Sequence, residues 1–477
     1  MADGELPTDR AAAHARAYLS TLRERTVRAT LSADQLRSRL GGPLPRRGED
    51  PMDVIDQLAA AGRTGTVASQ GPRYFGFVTG GSIPAAIAAD WLVSAWDQNA
   101  QMFVMSPIAA VVEEIVAAWL KQLFGLPAAW SVGFVTGAQM ATFTGLLAAR
   151  HQLLRDAGWD VERDGLSGAP PLDLIVSEES HRTIFTALRM LGLGTERVQR
   201  VDTDGQGRMR AGRLDAILRR TSRPCLVCAQ VGNVNTGAAD PVGDIARLTR
   251  EHGGWLHVDG AFGLWAAASE SRRHLVAGIE HADSLATDGH KWLNVPYDCG
   301  IVLTAHPESH QAALMVPAHY IQATPGERDP RAFTPDESRR ARALPIYAAL
   351  RVLGGRGVAD TIDRCCSLAA RMATRLAQHE SIRILNDVVL NQVLVQFRPS
   401  GGDAAAAAAL TRTVIARVQD EGTCWAGGTT WHGEAAMRIS ISNWSTTAED
   451  IDQAAAAILA ALDRVQRDAR DPERGDS

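Results

Sequence analysis

A chain of 477 residues, 45% hydrophobic and 22% charged, has ample material for a buried core and exceeds the length at which one core usually stops growing. Its net charge of −5 offers no electrostatic handle for nucleic acid, and the Arg46-Arg47 and Arg339-Arg340 pairs are isolated. No apolar run approaches the roughly 18 residues of a membrane span, and an N-terminus carrying Asp3, Glu5 and Asp9 lacks a signal-peptide profile, so no membrane partner and a cytoplasmic location are expected.

Residues 1–70 read as an N-terminal helical arm rich in Ala and Arg, broken at Gly41-Gly42-Pro43-Leu44-Pro45. Its apolar surface is too small to fold alone, so it should pack on the main body or on a second subunit. Residues 71–81 form a Gly-punctuated aromatic loop containing Phe77, Val78 and Thr79, of the kind that lines pockets. From Pro107 to Leu123 apolar residues recur at helical spacing, with Glu113, Glu114 and Lys121 offset from that face.

An alternation follows that sets the fold class. Strands are predicted at 131–136, 172–177, 225–231, 255–258, 283–287 and 300–304, and helices at 137–155, 181–191, 212–220 and 242–252. This α/β pattern implies a mostly parallel sheet covered on both faces, with ligands at the carboxyl ends of its strands. His181, Asp259 and Lys291 all fall at such ends. Cys225-Leu226-Val227-Cys228 matches C-x-x-C but lies inside an apolar strand. No second pair or His cluster completes a zinc site, so these cysteines are read as core, with no metal expected.

Lys291 follows the mostly apolar run Asp283-Ser284-Leu285-Ala286-Thr287 and is flanked by His290 and Trp292. Lysine forms Schiff bases with carbonyl compounds, pyridoxal phosphate among them, and an aspartate such as Asp259 can partner a pyridinium nitrogen. Taken singly, the two residues are equally a surface lysine after a strand and an N-capping aspartate. Gly133-Phe134-Val135-Thr136-Gly137-Ala138-Gln139 adds a strand running straight into a helix, whose free N–H groups and positive dipole end make a phosphate seat. Neither G-x-x-x-x-G-K-[ST] nor G-x-G-x-x-G is present there, which counts against nucleotides.

The set of segments resembles the group II pyridoxal-phosphate-dependent amino acid decarboxylases, the aromatic amino acid and glutamate decarboxylase family. It comprises Ser106-Pro107, Thr136 to Thr142, Ser180-His181, Gly232 to Gly237, His257 to Ala261, Asp288 to Trp292 and Arg438-Ile439-Ser440, in the family's order from about residue 70 to 460. The resemblance implies the aspartate aminotransferase-like architecture, fold type I. A large cofactor-binding domain is expected over 71–355, a smaller C-terminal α+β domain over 356–466, and a disordered tail over 467–477.

It also implies roles. Lys291 would hold pyridoxal 5'-phosphate as an internal aldimine, and Asp259 would keep the pyridine nitrogen protonated. Ala261 would pack beneath the ring and His181 stack on its other face. Gly137, Ala138 and Gln139 would bind the phosphate, and His290 would stand beside the lysine. Tyr320, 29 residues after Lys291, would protonate the substrate carbon once CO₂ has left, and Arg438 would take the substrate α-carboxylate with Phe77, Val78 and Thr79 lining the side-chain pocket. The expected reaction is decarboxylation of an L-amino acid to its amine by a homodimer with the site at the interface. An aminotransferase or carbon–carbon lyase of the same fold is the alternative within this chemistry, and a cofactor-free binding protein the alternative outside it. Three departures stand out: Asp288-Gly289 replaces the usual Asn-Pro, Val234 a threonine, and Gly71-Pro72 the usual His-Pro.

Overall fold

The computed structural model describes residues 5–316, 324 and 326–470. Its contacts group residues 80–370 and 386–393 into one compact unit, and residues 1–79, 371–385 and 394–477 into another. Among the described residues no helix is long and apolar enough to cross a membrane.

The larger unit is built on seven strands: β1 (Ser131–Val135), β2 (Asp173–Ser177), β3 (Gln199–Val201), β4 (Cys225–Gln230), β5 (Trp255–Asp259), β6 (Ser284–Asp288) and β7 (Gly300–Thr304). Their order across the sheet is β1-β7-β6-β5-β4-β2-β3. From β6 to β3 every pairing is parallel, while β7 runs antiparallel to both β6 and β1. The expected mostly parallel sheet is therefore present, with one reversed strand that apolar periodicity cannot reveal. β4, β5 and β6 are buried along their whole length, which explains why apolar residues dominate them and why their polar residues, such as Asp259 and Asp288, gather at the carboxyl ends. The helix Ala138–Asp156 packs on β5, β6 and β7, and its Leu146, Leu147 and Leu153 join Leu174, Val176, Ile184, Leu188 and Trp255 in one core cluster.

The helix Pro107–Phe124 departs from its sequence reading. Glu113, read as lying off the apolar face, is fully buried, and Ile108 and Val111, read as part of that face, are exposed. A buried partner explains the first: Arg339 Nη1 lies 2.7 Å from Glu113 Oε1. All six cysteines are free and buried. Burial pushes the Cys225 thiol up to about 11 and raises that of Cys228, so the C-x-x-C pair is inert core.

The other unit is built from both ends of the chain. The arm forms the helices Pro7–Ser20, Ala33–Leu40 and Pro51–Gly65. It is tied to C-terminal residues by Val27 N–H on the Gly422 carbonyl and by Arg23 Nη1 at 2.7 Å from Asp450 Oδ2. Strands β8 (Ile382–Ile384), β9 (Gln392–Phe397), β10 (Gly427–Trp431) and β11 (Glu434–Ser440) form a sheet in the order β10-β11-β9-β8, accompanied by the helices Ala404–Glu421 and Ala448–Arg470. The helix Ala343–Leu376 is broken at Gly354, where φ is 60°.

Candidate active site

The carboxyl ends of β2, β5 and β6 carry His181, Asp259 and Lys291, and the structure brings the three together: the charges of both His181 and Lys291 act on the Asp259 carboxyl. Asp259 is buried and accepts a hydrogen bond from the Ala261 N–H at 3.0 Å. Among the described residues it has no ion-pair partner. Burial therefore pushes its pKa up, against the opposing pull of His181 and Lys291. A buried carboxyl so sparsely satisfied suits a ligand that brings its own positively charged N–H, as a protonated pyridine does. That is the observation on which a pyridoxal cofactor fits the site.

Lys291 follows β6, and its Nζ lies 2.9 Å from Asp288 Oδ2. The turn after it is fixed from a distant segment. Asn294, at φ 57°, accepts the Gly81 N–H on its Oδ1 at 2.6 Å and the Ile83 N–H on its carbonyl at 2.8 Å. Gly80 lies so close that a Cβ there would overlap the Lys291 carbonyl oxygen. His290 accepts the Cys299 N–H on Nδ1 at 3.1 Å and stacks on Tyr297 with ring centroids 4.3 Å apart. Burial lowers its pKa, so a neutral ring carries its proton on Nε2, which lies 3.5 Å from Asp288 Oδ1.

The phosphate seat is formed where β1 ends. Gly137 precedes the helix in extended conformation, and the backbone of Gly300 on β7 approaches it so closely that any side chain at 300 would overlap Gly137. Of the three residues expected to hold phosphate, Gly137 is half-buried and Gln139 is exposed, while Ala138 is buried with its N–H on Asp288 Oδ1 at 2.5 Å. Asp288 thus joins the seat to the lysine, a link that sequence reading missed. Ala261 also ties β5 to β6: its carbonyl accepts the Asp288 N–H at 2.9 Å. His181 caps the helix Arg182–Met190, with Nδ1 2.8 Å from Thr183 Oγ1.

Phe77, Val78, Thr79 and Arg438 belong to the other unit. Phe77 and Val78 both have positive φ, 53° and 55°, a strained conformation for a bulky and a β-branched residue. Val78 and Thr79 are buried, whereas Phe77 is exposed and lies 5.2 Å from the Trp425 ring. Tyr74 stacks on the same indole at 5.2 Å. Trp425 was not singled out from sequence; its ring fits against Gly76, which has no room for a Cβ, a contact that local sequence pattern does not carry. Arg438 on β11 is half-buried, and desolvation lowers its pKa. Among the described residues its guanidinium has no anionic partner. Tyr320 lies outside the described residues.

Residues 34–399 match the family described as the pyridoxal-dependent decarboxylase conserved domain. The chain belongs to the pyridoxal-dependent decarboxylase family. Its cofactor is pyridoxal phosphate and its reaction class that of an amino acid carboxy-lyase. The decarboxylase is 26% identical to an aromatic-L-amino-acid decarboxylase of Bacillus atrophaeus over 457 residues, 94% of this chain and 93% of that one. It is 28% identical to human cysteine sulfinic acid decarboxylase over 382 residues, covering 77% and 75% of the two chains. Among solved structures, the Oryza sativa TDC with PLP and tryptamine superposes with a TM-score of 0.89 at 22% identity, covering 96% of this chain and 97% of that one, which shows the shared fold.

Proposed function

We propose that this decarboxylase converts an L-amino acid with an apolar or aromatic side chain to its amine, using Lys291 as the anchor of the cofactor and Tyr320 as the proton donor. The observation that carries the substrate reading is Arg438. A half-buried guanidinium without a carboxylate partner among the described residues is open to an incoming one, and its planar fork suits that task. Its cross-strand neighbour is Gly427, and a Cβ on Gly427 would stand 3.6 Å from the Trp425 ring. The anion seeker therefore has an aromatic step of Tyr74, Trp425 and Phe77 in its vicinity, chemistry that matches a carboxylate and a ring on one small molecule.

Pyridoxal phosphate, when bound, accepts the electron pair left behind as the carboxylate departs as CO₂. Lys291 supplies the primary amine that anchors it and that the substrate amine displaces. Asp259 holds a proton at the pyridine nitrogen. Ala261 and His181 would hold the ring from its two faces, and Gly137, Ala138 and Gln139 would hold the phosphate end, with His290 nearby. Arg438 orients the substrate carboxylate, and Phe77, Val78 and Thr79 shape the side-chain pocket. Tyr320 then delivers its phenolic proton to the carbon that lost CO₂, a transfer favoured where water is excluded.

The test is an amino acid panel scored for CO₂ and amine. Aromatic substrates should give both in equal amounts. Tyr320→Phe should lower the amine yield and divert product to the aldehyde, with O₂ consumed and ammonia and hydrogen peroxide released. Keto acid without CO₂ would overturn the reading, and an unchanged amine yield in Tyr320→Phe would remove that residue from the mechanism.

A homodimer is part of the same proposal. Trp91, Leu92, Trp96, Val104, Met105 and Ile108 are all exposed within one short stretch, more apolar surface than a lone chain usually leaves to water. Sedimentation of the holoenzyme should give twice the 51.1 kDa chain mass, and a single-chain mass would refute it.

A further inference from the structure

We infer that Asp288 is a positioning residue that acts on Lys291 through its charge. The inference rests on the reading of Lys291 as the cofactor's anchor.

Asp288 closes β6 with its backbone held on both sides: its N–H donates to the Ala261 carbonyl, and its own carbonyl accepts the Trp265 indole N–H, each at 2.9 Å. The side chain bridges two functional groups. Oδ1 accepts the Ala138 N–H at 2.5 Å, and Oδ2 lies 2.9 Å from Lys291 Nζ. Ala138 is the first residue of a 19-residue helix, whose positive end favours a carboxylate there. Lys291 is fixed from the other direction by the close approach of Gly80 and by the Asn294 turn. The carboxylate is therefore clamped at one oxygen and presents the other to the lysine nitrogen.

An asparagine here would accept the Ala138 N–H equally well through its amide oxygen. What the acid adds is a negative charge beside the lysine nitrogen. Other groups facing the same space are His290, with Nε2 3.5 Å from Oδ1, and Asp259, His181, Cys299 and Asp298, which act electrostatically on Asp288, Lys291 or their neighbours. His290 is held towards neutrality by burial. Lys291 is thus the cation that Asp288 contacts directly, and the pair keeps the nitrogen aimed at the seat when a substrate amine has displaced it.

Asp288→Asn keeps an oxygen for Ala138 and removes the charge, while Asp288→Ala removes both. In cofactor-loaded protein the pH midpoint of the visible absorption change should fall by about 1 unit or more in both variants, because a nearby anion favours the protonated nitrogen. A wild-type midpoint in Asp288→Asn, with only Asp288→Ala altered, would make Asp288 a helix cap and overturn the inference. If a variant does not load, reductive methylation of cofactor-free protein decides, read by mass spectrometry. Faster labelling of Lys291 in Asp288→Asn supports the charge role, and equal labelling refutes it. A wild-type chain that gives no visible band with pyridoxal phosphate would instead count against the cofactor reading, and the labelling comparison would still decide Asp288.

Discussion

Two buried ion pairs in the larger unit differ in a way that separates architecture from chemistry. In the Glu113–Arg339 pair both side chains are 0% exposed, and Arg339 also donates to the Ala100 carbonyl at 3.0 Å and the Phe134 carbonyl at 2.9 Å. Arg328 adds a second guanidinium 3.7 Å from Glu113 and lies 3.9 Å over the Phe333 ring. In the Asp288–Lys291 pair the lysine side chain is 21% exposed, and its anion is shared with a helix N-terminus. The first pair is closed on every side and stitches β1 to the segments before and after the sheet. The second leaves its cation reachable, as a nucleophile must be. The cation's exposure and the number of fixed partners around it together distinguish them.

Mutations should affect the two pairs in opposite currencies. Lys291→Ala should abolish amine formation and the visible cofactor band, which tests the open pair at its reacting end, while circular dichroism shows a folded chain. Retained activity would remove Lys291 from the chemistry. Glu113→Gln should leave two buried guanidiniums without a counter-charge and cost about 3–5 kcal/mol of stability, measured by urea denaturation. The cofactor band per folded molecule should be unchanged, and a loss below about 1 kcal/mol would show that the closed pair is not the brace described.

A buried carboxylate with no cationic partner among the described residues sharpens the contrast further. Asp240 accepts the Met209 N–H at 2.7 Å and the Gln230 N–H at 2.8 Å, and burial pushes its carboxyl up to about 7 from an ordinary 3.8. The folded chain then binds more protons than the unfolded one between those values, so this group's contribution to stability is complete below about 4 and lost as pH rises towards 7. Asp240→Asn should flatten that part of the melting-temperature profile, and an unaltered profile would show that Asp240 does not titrate there.

Much of this was legible in the sequence because burial on both faces writes itself as apolar runs. β4, β5 and β6 were placed within a residue or two, and with them the rim holding Asp259 and Lys291. β3 was missed because it is a short edge strand whose Gln199 and Arg200 are exposed, which leaves no apolar signature. Glu113 was misplaced because a charged residue in a helix reads as solvent-facing unless its partner, here far along the chain, is known. The grip of Asp288 on Ala138 was hidden for the same reason: it joins residues 150 positions apart, and local pattern carries no information about such a contact.

The fastening of the arm has a consequence for how the chain is made. Asp450 receives both Arg23 and Arg73, and the Arg23 contact spans 427 residues of sequence. During synthesis the first helices emerge long before their acceptor exists. The intervening residues, whose sheet pairs mostly near neighbours, can order on the ribosome, whereas the unit that joins residues 5–79 to residues 394–470 must wait until its later segments have been made. A ribosome that terminates before residue 422 would release a chain whose first helices lack both fastenings, Gly422 and Asp450.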